Sequence, residues 1–375
     1  MPPPTVVAMR KNFIPFAALL LCSTASSAQS PELSWTPQQF DQLRTWLELA
    51  RQEGLTLPRE PDLSSASTSA TATVLGLARA FLFGTASAQQ RAAWNILGND
   101  DAIDLPAQLA AALARNDLNN FFTSLRPRNP EYEVLRRAML TETDADKRAT
   151  LIRNLERWRW MPLDLGHLYL LVNAPGFEVS LWENGRKLAH WRVIVGKPKT
   201  PTPVFSAMVT GVTVNPWWDV PPSIVAESVG RLTRTYPTEA RRRGYVWGGG
   251  GYRQRPGPGN SLGLMKLVMP NPYKVYLHDT PEKALFDKPV RACSHGCIRV
   301  HDALEFVARL LGRPLDADVA RGSTVNLPID HPLPVYVAYF TADVSDADAV
   351  EYHADIYGRD ARMGDGRNPM VQSPS

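Results

Sequence analysis

The most informative stretch of the sequence reads Tyr276-Leu277-His278-Asp279-Thr280-Pro281 and then Cys293-Ser294-His295-Gly296-Cys297-Ile298-Arg299-Val300. A cysteine attacks a carbonyl as its thiolate, and an unassisted thiol with a pKa of about 8.5 is mostly protonated at neutral pH. His278, at the end of a predicted strand, and Cys297, at the start of the next element, can meet in space although 19 positions separate them. The stretch therefore predicts a cysteine nucleophile with a histidine base.

Gly296 stands beside the predicted nucleophile, where a residue without a Cβ lets the backbone turn tightly. The amides of Gly296 and Cys297 can then face a developing oxyanion, and the positive end of a helix predicted over residues 302–311 favours the thiolate. As bare residues, His278, Cys293, His295 and Cys297 could instead ligate zinc, although their spacing is not that of a zinc motif. A buried, unreactive cysteine is the third alternative.

The hydrophobic period around this stretch is two, which is typical of half-buried strands. The predicted strands cover residues 167–172, 177–182, 187–195, 208–214, 274–278, 323–327 and 334–340. Turn sequences such as Glu183-Asn184-Gly185 separate neighbouring strands. We therefore expect a mostly β domain over residues 161–358.

Residues 217–262 interrupt this rhythm with Trp217-Trp218 and four consecutive glycines at 248–251. Long irregular segments in compact domains are often functional, so this one is predicted to be an inserted, mobile lid or capping segment. Residues 231–255 hold seven arginines against one glutamate, a net charge of +6. These arginines fit either recognition of carboxylates or a solvated face.

From Trp35 to about Trp160 the pattern is helical, with Val74, Leu77, Ala78 and Phe81 at the spacing of one helix face. Asn129-Pro130 opens a further helix with a cap and a proline in its first turn. Residues 29–160 are thus predicted to form an all-helical domain. Trp158 and Trp160 are expected to pack between the two domains rather than form a sugar platform. The expected fold class is α+β, a helical scaffold followed by the β domain.

The first 28 residues have the pattern of a secretory signal peptide: Arg10-Lys11, an apolar run, and small residues before the cleavage point. The apolar run from Phe13 to Leu21 is about half of the roughly 20 residues that a spanning helix needs, which disfavours a membrane anchor. Lipidation of Cys22 is a minor alternative. We therefore expect a periplasmic protein whose mature chain has no transmembrane span.

Removal of residues 1–28 leaves 39 basic against 37 acidic residues, and so near-neutral a chain offers no argument for nucleic-acid binding. Only Cys293 and Cys297 then remain, too few for the disulfide framework of a secreted scaffold. Residues 359–375 are small and polar and are predicted to form a flexible tail.

Beyond its chemistry, the string Ser294-His295-Gly296-Cys297-x-Arg299, preceded by His278, resembles the signature of the L,D-transpeptidase (YkuD) catalytic domain. Four further strings resemble the large YcbB-type branch of that family, at residues 154–160, 215–224, 257–260 and 355–360. Together these matches span most of residues 70–360. That branch usually carries a small peptidoglycan-binding module before the first string, and here the module is expected to be absent.

The resemblance implies that Cys297 is the acylated nucleophile and His278 the base, with His295, Gly296 and Arg299 completing the catalytic site. Substrate contacts are expected at Ser294, Asp279, Trp217, Trp218, Tyr276 and Asn260. No cofactor and no metal are implied. Donor and acceptor would be tetrapeptide stems of peptidoglycan: cleavage after the third residue releases D-alanine, and the acyl group joins a neighbouring amine in a 3→3 cross-link. A carbapenem would acylate the same thiol, and cell-wall synthesis proteins are the expected partners.

Two other functions stay open. A hydrolase of the same fold would use water as the acceptor, to trim stems or to detach linked proteins. A non-catalytic peptidoglycan-binding scaffold would not need His278 and Cys297, and both are present. Cys293 also has two interpretations: it either forms a reversible disulfide with Cys297 or packs as a small apolar side chain.

Overall fold

The first helix of the chain begins at a complete capping box. Thr36 Oγ1 accepts the N–H of Gln39 at 3.3 Å, and Gln39 Oε1 accepts the N–H of Thr36 at 2.9 Å. The computed structural model describes residues 34–55, 67–98 and 100–364. Its N-terminal helices are α1 (Pro37–Gln52), α2 (Ser67–Phe83), α3 (Ala88–Arg91), α4 (Leu105–Ala114), α5 (Leu118–Ser124), α6 (Pro130–Thr141) and α7 (Ala145–Arg159).

The apolar face predicted for α2 is buried, since Val74, Leu77, Ala78 and Phe81 have no exposed surface. The ring of Phe81 meets that of Trp46 edge-on at 5.6 Å between centroids, which fixes α1 against α2. Residues 68–91 are the one segment, in the part of the chain described, that is long and apolar enough to cross a membrane. A buried core helix can be equally long and apolar, and the burial of the α2 face accounts for the apolar composition of this segment.

A buried group of charges joins the helices. Arg159 and Glu53 are fully buried; Arg159 Nη2 donates to the Glu53 carbonyl at 2.9 Å and to Tyr132 Oη at 3.0 Å. Glu156 accepts the N–H groups of Thr85 and Ala86 at 2.6 and 2.7 Å, where the chain leaves α2. Buried charges are retained only when they are paired in this way.

The second part of the chain is built from strands. They are β1 (Trp94–Asn95), β2 (Leu168–Asn173), β3 (Glu178–Glu183), β4 (Arg186–Gly196), β5 (Val204–Val214), β6 (Trp218–Asp219), β7 (Tyr245–Gly248), β8 (Gly251–Gln254), β9 (Met265–Val268), β10 (Leu277–His278), β11 (Ala292–Ser294), β12 (Ile298–Val300), β13 (Val325–Ala338), β14 (Ala342–Val344) and β15 (Val350–Tyr352). The α+β prediction is confirmed, with the addition that β1 lies within the helical region and pairs in parallel with β5.

The main sheet closes on itself. Its strand order is β5-β13-β2-β3-β4-β12-β10-β9, and β9 also pairs with β5. Alternate residues such as Val193, Val195, Val212 and Val214 are fully buried and form the core inside the barrel. The strands predicted at 323–327 and 334–340 are parts of the single strand β13, with an irregularity between Pro328 and Leu333.

The segment at 217–262, expected as an irregular lid, has secondary structure of its own. Strands β6, β8 and β7 form a three-stranded sheet in that order. Between β6 and β7 lie α8 (Pro222–Ile224), a π-helical turn at Val225–Val229, α9 (Gly230–Thr235) and α10 (Pro237–Arg242). The pairing of β6 with β8 joins positions more than thirty residues apart, which local sequence patterns cannot reveal.

After the site come α11 (Ala303–Leu311), α12 (Asp316–Ala320) and α13 (Arg359–Met363). The prediction of a flexible tail from residue 359 is wrong over α13, because Asp360 forms an ion pair with the buried Arg157 of α7 at 2.5 Å. Trp158 stacks on Phe340 and Trp160 meets Trp94 edge-on, so their predicted packing role is confirmed. The proposed signal peptide, Cys22 and the rest of the tail lie outside the described residues.

Candidate active site on the outside of the barrel

Strand register places the predicted base and nucleophile on one face. Parallel strands β10 and β12 pair Leu277 with Ile298 and His278 with Arg299. Leu277 and Ile298 point into the barrel and are fully buried, so their neighbours in sequence face outwards. The N–H of Ile298 donates to the carbonyl of Tyr276 at 2.9 Å, which sets Cys297 beside Tyr276. Cys297 and His278 are therefore diagonal neighbours on the outer surface.

The tautomer of His278 follows from its one backbone contact. Its Nδ1 lies 2.5 Å from the carbonyl oxygen of Asp279. A carbonyl can only accept, so Nδ1 carries the hydrogen and Nε2 has a free lone pair. Nε2 is thus the atom that can take a proton from the thiol.

Burial keeps both groups neutral. Desolvation, followed by the positive charge of Arg299, lowers the pKa of His278 to about 4. Burial also raises the pKa of the Cys297 thiol, against the opposing effects of the Tyr276 N–H and of the charges on Arg299 and Lys266. At neutral pH the site therefore holds a thiol and an unprotonated imidazole, the starting state for general-base activation.

Ser294 organises the turn that carries the thiol. Its Oγ donates to the carbonyl of Cys297 at 2.6 Å and accepts the N–H of Gly296 at 3.1 Å. Gly296 has a φ of +114°, which a residue with a side chain rarely adopts. The predicted oxyanion role of the Gly296 amide needs correction, because Ser294 already binds it. The N–H of Cys297 is the remaining candidate of the predicted pair.

Two cations border the site. Arg299 forms an ion pair with Glu282, and its side chain is largely buried. Lys266, directly opposite His278 on β9, holds its ammonium 4.8 Å from the ring centroid of Tyr276. Sequence reasoning missed Lys266, because nothing in its local pattern indicates that β9 lies beside β10.

His295 contacts the lid rather than Cys297 or His278. Its Nε2 lies 2.7 Å from a carboxylate oxygen of Glu227, in the π-helical turn of the lid. Lys197 directly follows β4, and its ammonium lies 3.6 Å from the same carboxylate. Glu227 therefore joins the lid to the nucleophile loop, and these contacts hold its pKa below the usual range. No sequence signal had singled out Glu227 or Lys197.

Three residues predicted to contact substrate are paired within the protein. Ser294 is buried in the turn just described. Asp279 is buried, accepts the N–H of Leu264 at 2.8 Å and pairs with Lys283. Asn260 is also buried; its amide donates to the carbonyls of Pro216, Gln254 and Arg255, and its oxygen accepts the N–H of Leu262. The structure thus places all three in supporting positions.

The remaining predicted substrate contacts keep some exposed surface. Trp217 and Trp218 stand at the start of the lid, where Arg253 lies 4.7 Å from the Trp217 ring and Tyr245 lies 6.5 Å from the Trp218 ring. Tyr276 lines the site beside the thiol.

The four side chains weighed as zinc ligands do not form a ligand group. Among the described residues, ligand atoms of three or more such side chains converge only at Asp343, Glu351 and His353, on the β14–β15 side of the barrel. Both thiols are free, and no disulfide joins Cys293 to Cys297.

Taken together, fold and site define a closed β-barrel domain that carries a cysteine and a histidine as diagonal neighbours on its outer face, with a lid segment joined to the nucleophile loop. The family model for the L,D-transpeptidase catalytic domain (YkuD) matches residues 167–335, and a Scaffold domain model matches residues 27–139. Residues 167–335 are therefore an L,D-transpeptidase (YkuD) catalytic domain, and a Scaffold domain precedes it in the chain.

A protein of Haemophilus influenzae, provisionally named an L,D-transpeptidase, is 29% identical over 283 residues. That match takes in 68% of this chain and 57% of the relative, so the chain spans little more than half of the relative's length. Solved structures of L,D-transpeptidases from Mycobacterium smegmatis and Mycobacterium tuberculosis are 15% and 17% identical, with TM-scores of 0.26 and 0.24. They cover 46% of this chain each, and 58% and 61% of their own chains. Scores at this level support no functional inference.

Proposed function

We propose that this protein is a peptidoglycan L,D-transpeptidase that forms 3→3 cross-links through an acyl-enzyme on Cys297. The single observation that carries the proposal is the placement of a thiol and an unprotonated imidazole as diagonal neighbours on the outer face of β10 and β12. The family membership of residues 167–335 supports the reaction class.

In the acylation step, His278 Nε2 takes the proton of Cys297 as Sγ attacks the carbonyl carbon of the third stem residue. A C–S bond forms and the carbonyl becomes an oxyanion, which the N–H of Cys297 stabilises. The oxyanion then collapses and the C–N bond to the terminal D-alanine breaks. The leaving amine takes the proton from His278, and a thioester remains.

In the second step an amine of a neighbouring stem attacks the thioester. His278 removes a proton from that amine, the C–S bond breaks, and Cys297 recovers its proton as the new amide forms. The balance between this reaction and hydrolysis depends on how well water is excluded. Glu227, by joining the lid to His295 and Lys197 beside the nucleophile loop, supports a covered site.

The lid also carries charge that suits the proposed substrate. Arg241, Arg242 and Arg243 are exposed at the end of α10, where Glu239 pairs with the last two. The excess of guanidinium groups over carboxylates fits stems that end in free carboxylates. We further propose that the first 28 residues direct export, which would bring the enzyme to peptidoglycan in the periplasm.

Incubation of the protein with purified disaccharide-tetrapeptide tests the proposal. Mass spectrometry should show a cross-linked dimer and free D-alanine with the wild type and neither with Cys297→Ser. His278→Ala should remove most of the activity, because an unassisted thiol is largely protonated. Trimmed monomer would instead identify a hydrolase, and unchanged fragment would refute both reactions and leave a binding role.

A further inference from the structure

Residues 196–202 form a loop directly under the nucleophile turn. The N–H of Lys197 donates to the carbonyl of Ser294 at 2.9 Å, and Thr200 Oγ1 donates to the same oxygen at 3.3 Å. Gly196 has no space for a side chain, since a Cβ there would lie 2.1 Å from the Thr200 carbonyl oxygen. The loop is therefore closed tightly on itself and fixed to the strand that enters the turn.

Thr202 connects this loop to the peptide next to the nucleophile. It is 1% exposed, and its Oγ1 donates to the carbonyl of Gly296 at 2.8 Å while accepting the N–H of Gly196 at 2.9 Å. A trans peptide is planar, with its C=O and N–H on opposite sides. By holding the Gly296 carbonyl, Thr202 therefore sets the direction of the Cys297 N–H.

Tyr357 holds Thr202 from the other side. Its hydroxyl donates to the carbonyl of Gly196 at 2.6 Å and accepts the N–H of Thr202 at 3.3 Å. Arg359 adds a hydrogen bond of 3.1 Å to the carbonyl of Thr202, with its guanidinium over the rings of Tyr339 and Tyr357. The N–H and the carbonyl of Thr202 are thus both held by the segment that contains Tyr357 and Arg359.

We propose that Thr202 and Tyr357 are positioning residues that aim the N–H of Cys297 at the developing oxyanion. They touch neither substrate nor the reacting atoms and act through the Gly296–Cys297 peptide. This inference rests on the proposed acyl transfer, since only attack on a carbonyl creates an oxyanion. Their loss should therefore slow acylation while leaving the intrinsic reactivity of the thiol in place.

The test compares two reactions of Cys297 in the full chain. Acylation by a carbapenem passes through an oxyanion, whereas alkylation by iodoacetamide is a displacement at a saturated carbon and does not. Thr202→Val, which keeps the shape and removes the hydroxyl, should slow acylation about 10- to 100-fold, below the loss for an oxyanion donor itself. Alkylation should stay within about twofold. Thr202→Ser, which restores the hydroxyl, should recover acylation.

Tyr357→Phe should give a smaller loss of the same kind, because Thr202 keeps its own bond to Gly296. Matched controls are Thr210→Val, an exposed position on β5, and Tyr352→Phe, a partly exposed position on β15, and both should behave as wild type.

Equal acylation rates in Thr202→Val and wild type would overturn the inference alone. Parallel loss of acylation and alkylation would also overturn it, since that result indicates a merely structural role. A wild type that is alkylated but never acylated would refute the proposed function, and this inference with it.

Discussion

Protonation of His278 should lower the free energy of unfolding. A substitution of His278 by a residue that does not titrate should remove this pH dependence. The imidazole is buried, and folding lowers its pKa from 6.5 to about 4. The unfolded chain therefore binds this proton more readily than the folded chain does. The stability due to the neutral imidazole is complete above pH 6.5 and is lost as the pH falls towards 4.

With these two pKa values, His278 alone should cost the protein about 1.8 kcal/mol of unfolding free energy between pH 7 and pH 5. Urea unfolding followed by tryptophan fluorescence at both pH values measures the loss. In His278→Gln the dependence on pH should be smaller by about that amount, because glutamine does not titrate. The control is His331→Gln, an exposed position on β13, which should keep the wild-type dependence.

The same pKa sets the acid limb of the carbapenem acylation rate, which should fall only as the pH approaches 4. An acid limb near pH 6.5, or identical pH dependence of stability in wild type and His278→Gln, would refute the argument that burial keeps this imidazole neutral.

Three further predictions concern the lid and the second thiol. Glu227→Gln should increase amide hydrogen exchange in residues 225–235 by up to about fivefold, because it removes two half-exposed ion pairs that are each weak; unchanged exchange would show that Glu227 does not hold the lid. Replacing Arg241, Arg242 and Arg243 together by glutamine should reduce turnover of stems at low salt and have less effect at high salt, where the charges are screened; equal turnover at low salt would remove these arginines from substrate recognition. After mild oxidation, reductant should restore activity in the wild type but less in Cys293→Ala, because a disulfide protects Cys297 from irreversible oxidation; equal recovery would make Cys293 a packing residue.

The parts of the fold that the sequence predicted are those with a local signal. Asn129-Pro130 marks a helix start, and α6 does begin at Pro130 with the Asn129 side chain as its cap. The period-two runs identified β2, β3 and β4 to within a residue or two at most ends. The resemblance and the spacing of His278 and Cys297 together predicted the candidate site, and the register of β10 and β12 makes these two residues diagonal neighbours.

What the sequence missed depends on contacts between distant segments. Lys266 reaches the site only because β9 lies between β10 and β5 in the closed sheet. Glu227 meets His295 only because the lid folds back over the loop. Asn260 was expected to contact substrate but binds backbone groups instead. A polar residue in a motif can do either, and its local sequence does not distinguish the two. Tyr357 stood in a string already compared with the family, but its partner Thr202 has no local signal at all.

The dependence of the nucleophile loop on Tyr357 also has a consequence for the order of events during biosynthesis. A chain is made from its N-terminus, so the turn at 294–297 emerges about sixty residues before the segment that braces it. In a nascent chain that already contains Cys297, the N–H of Cys297 would thus not yet be oriented by Thr202 and Tyr357. Cys297 would therefore be acylated slowly until Tyr357 and the residues around it have been added to the chain. Chains halted after residue 354 should accordingly be alkylated by iodoacetamide yet resist acylation, whereas equal acylation of halted and complete chains would exclude this timing.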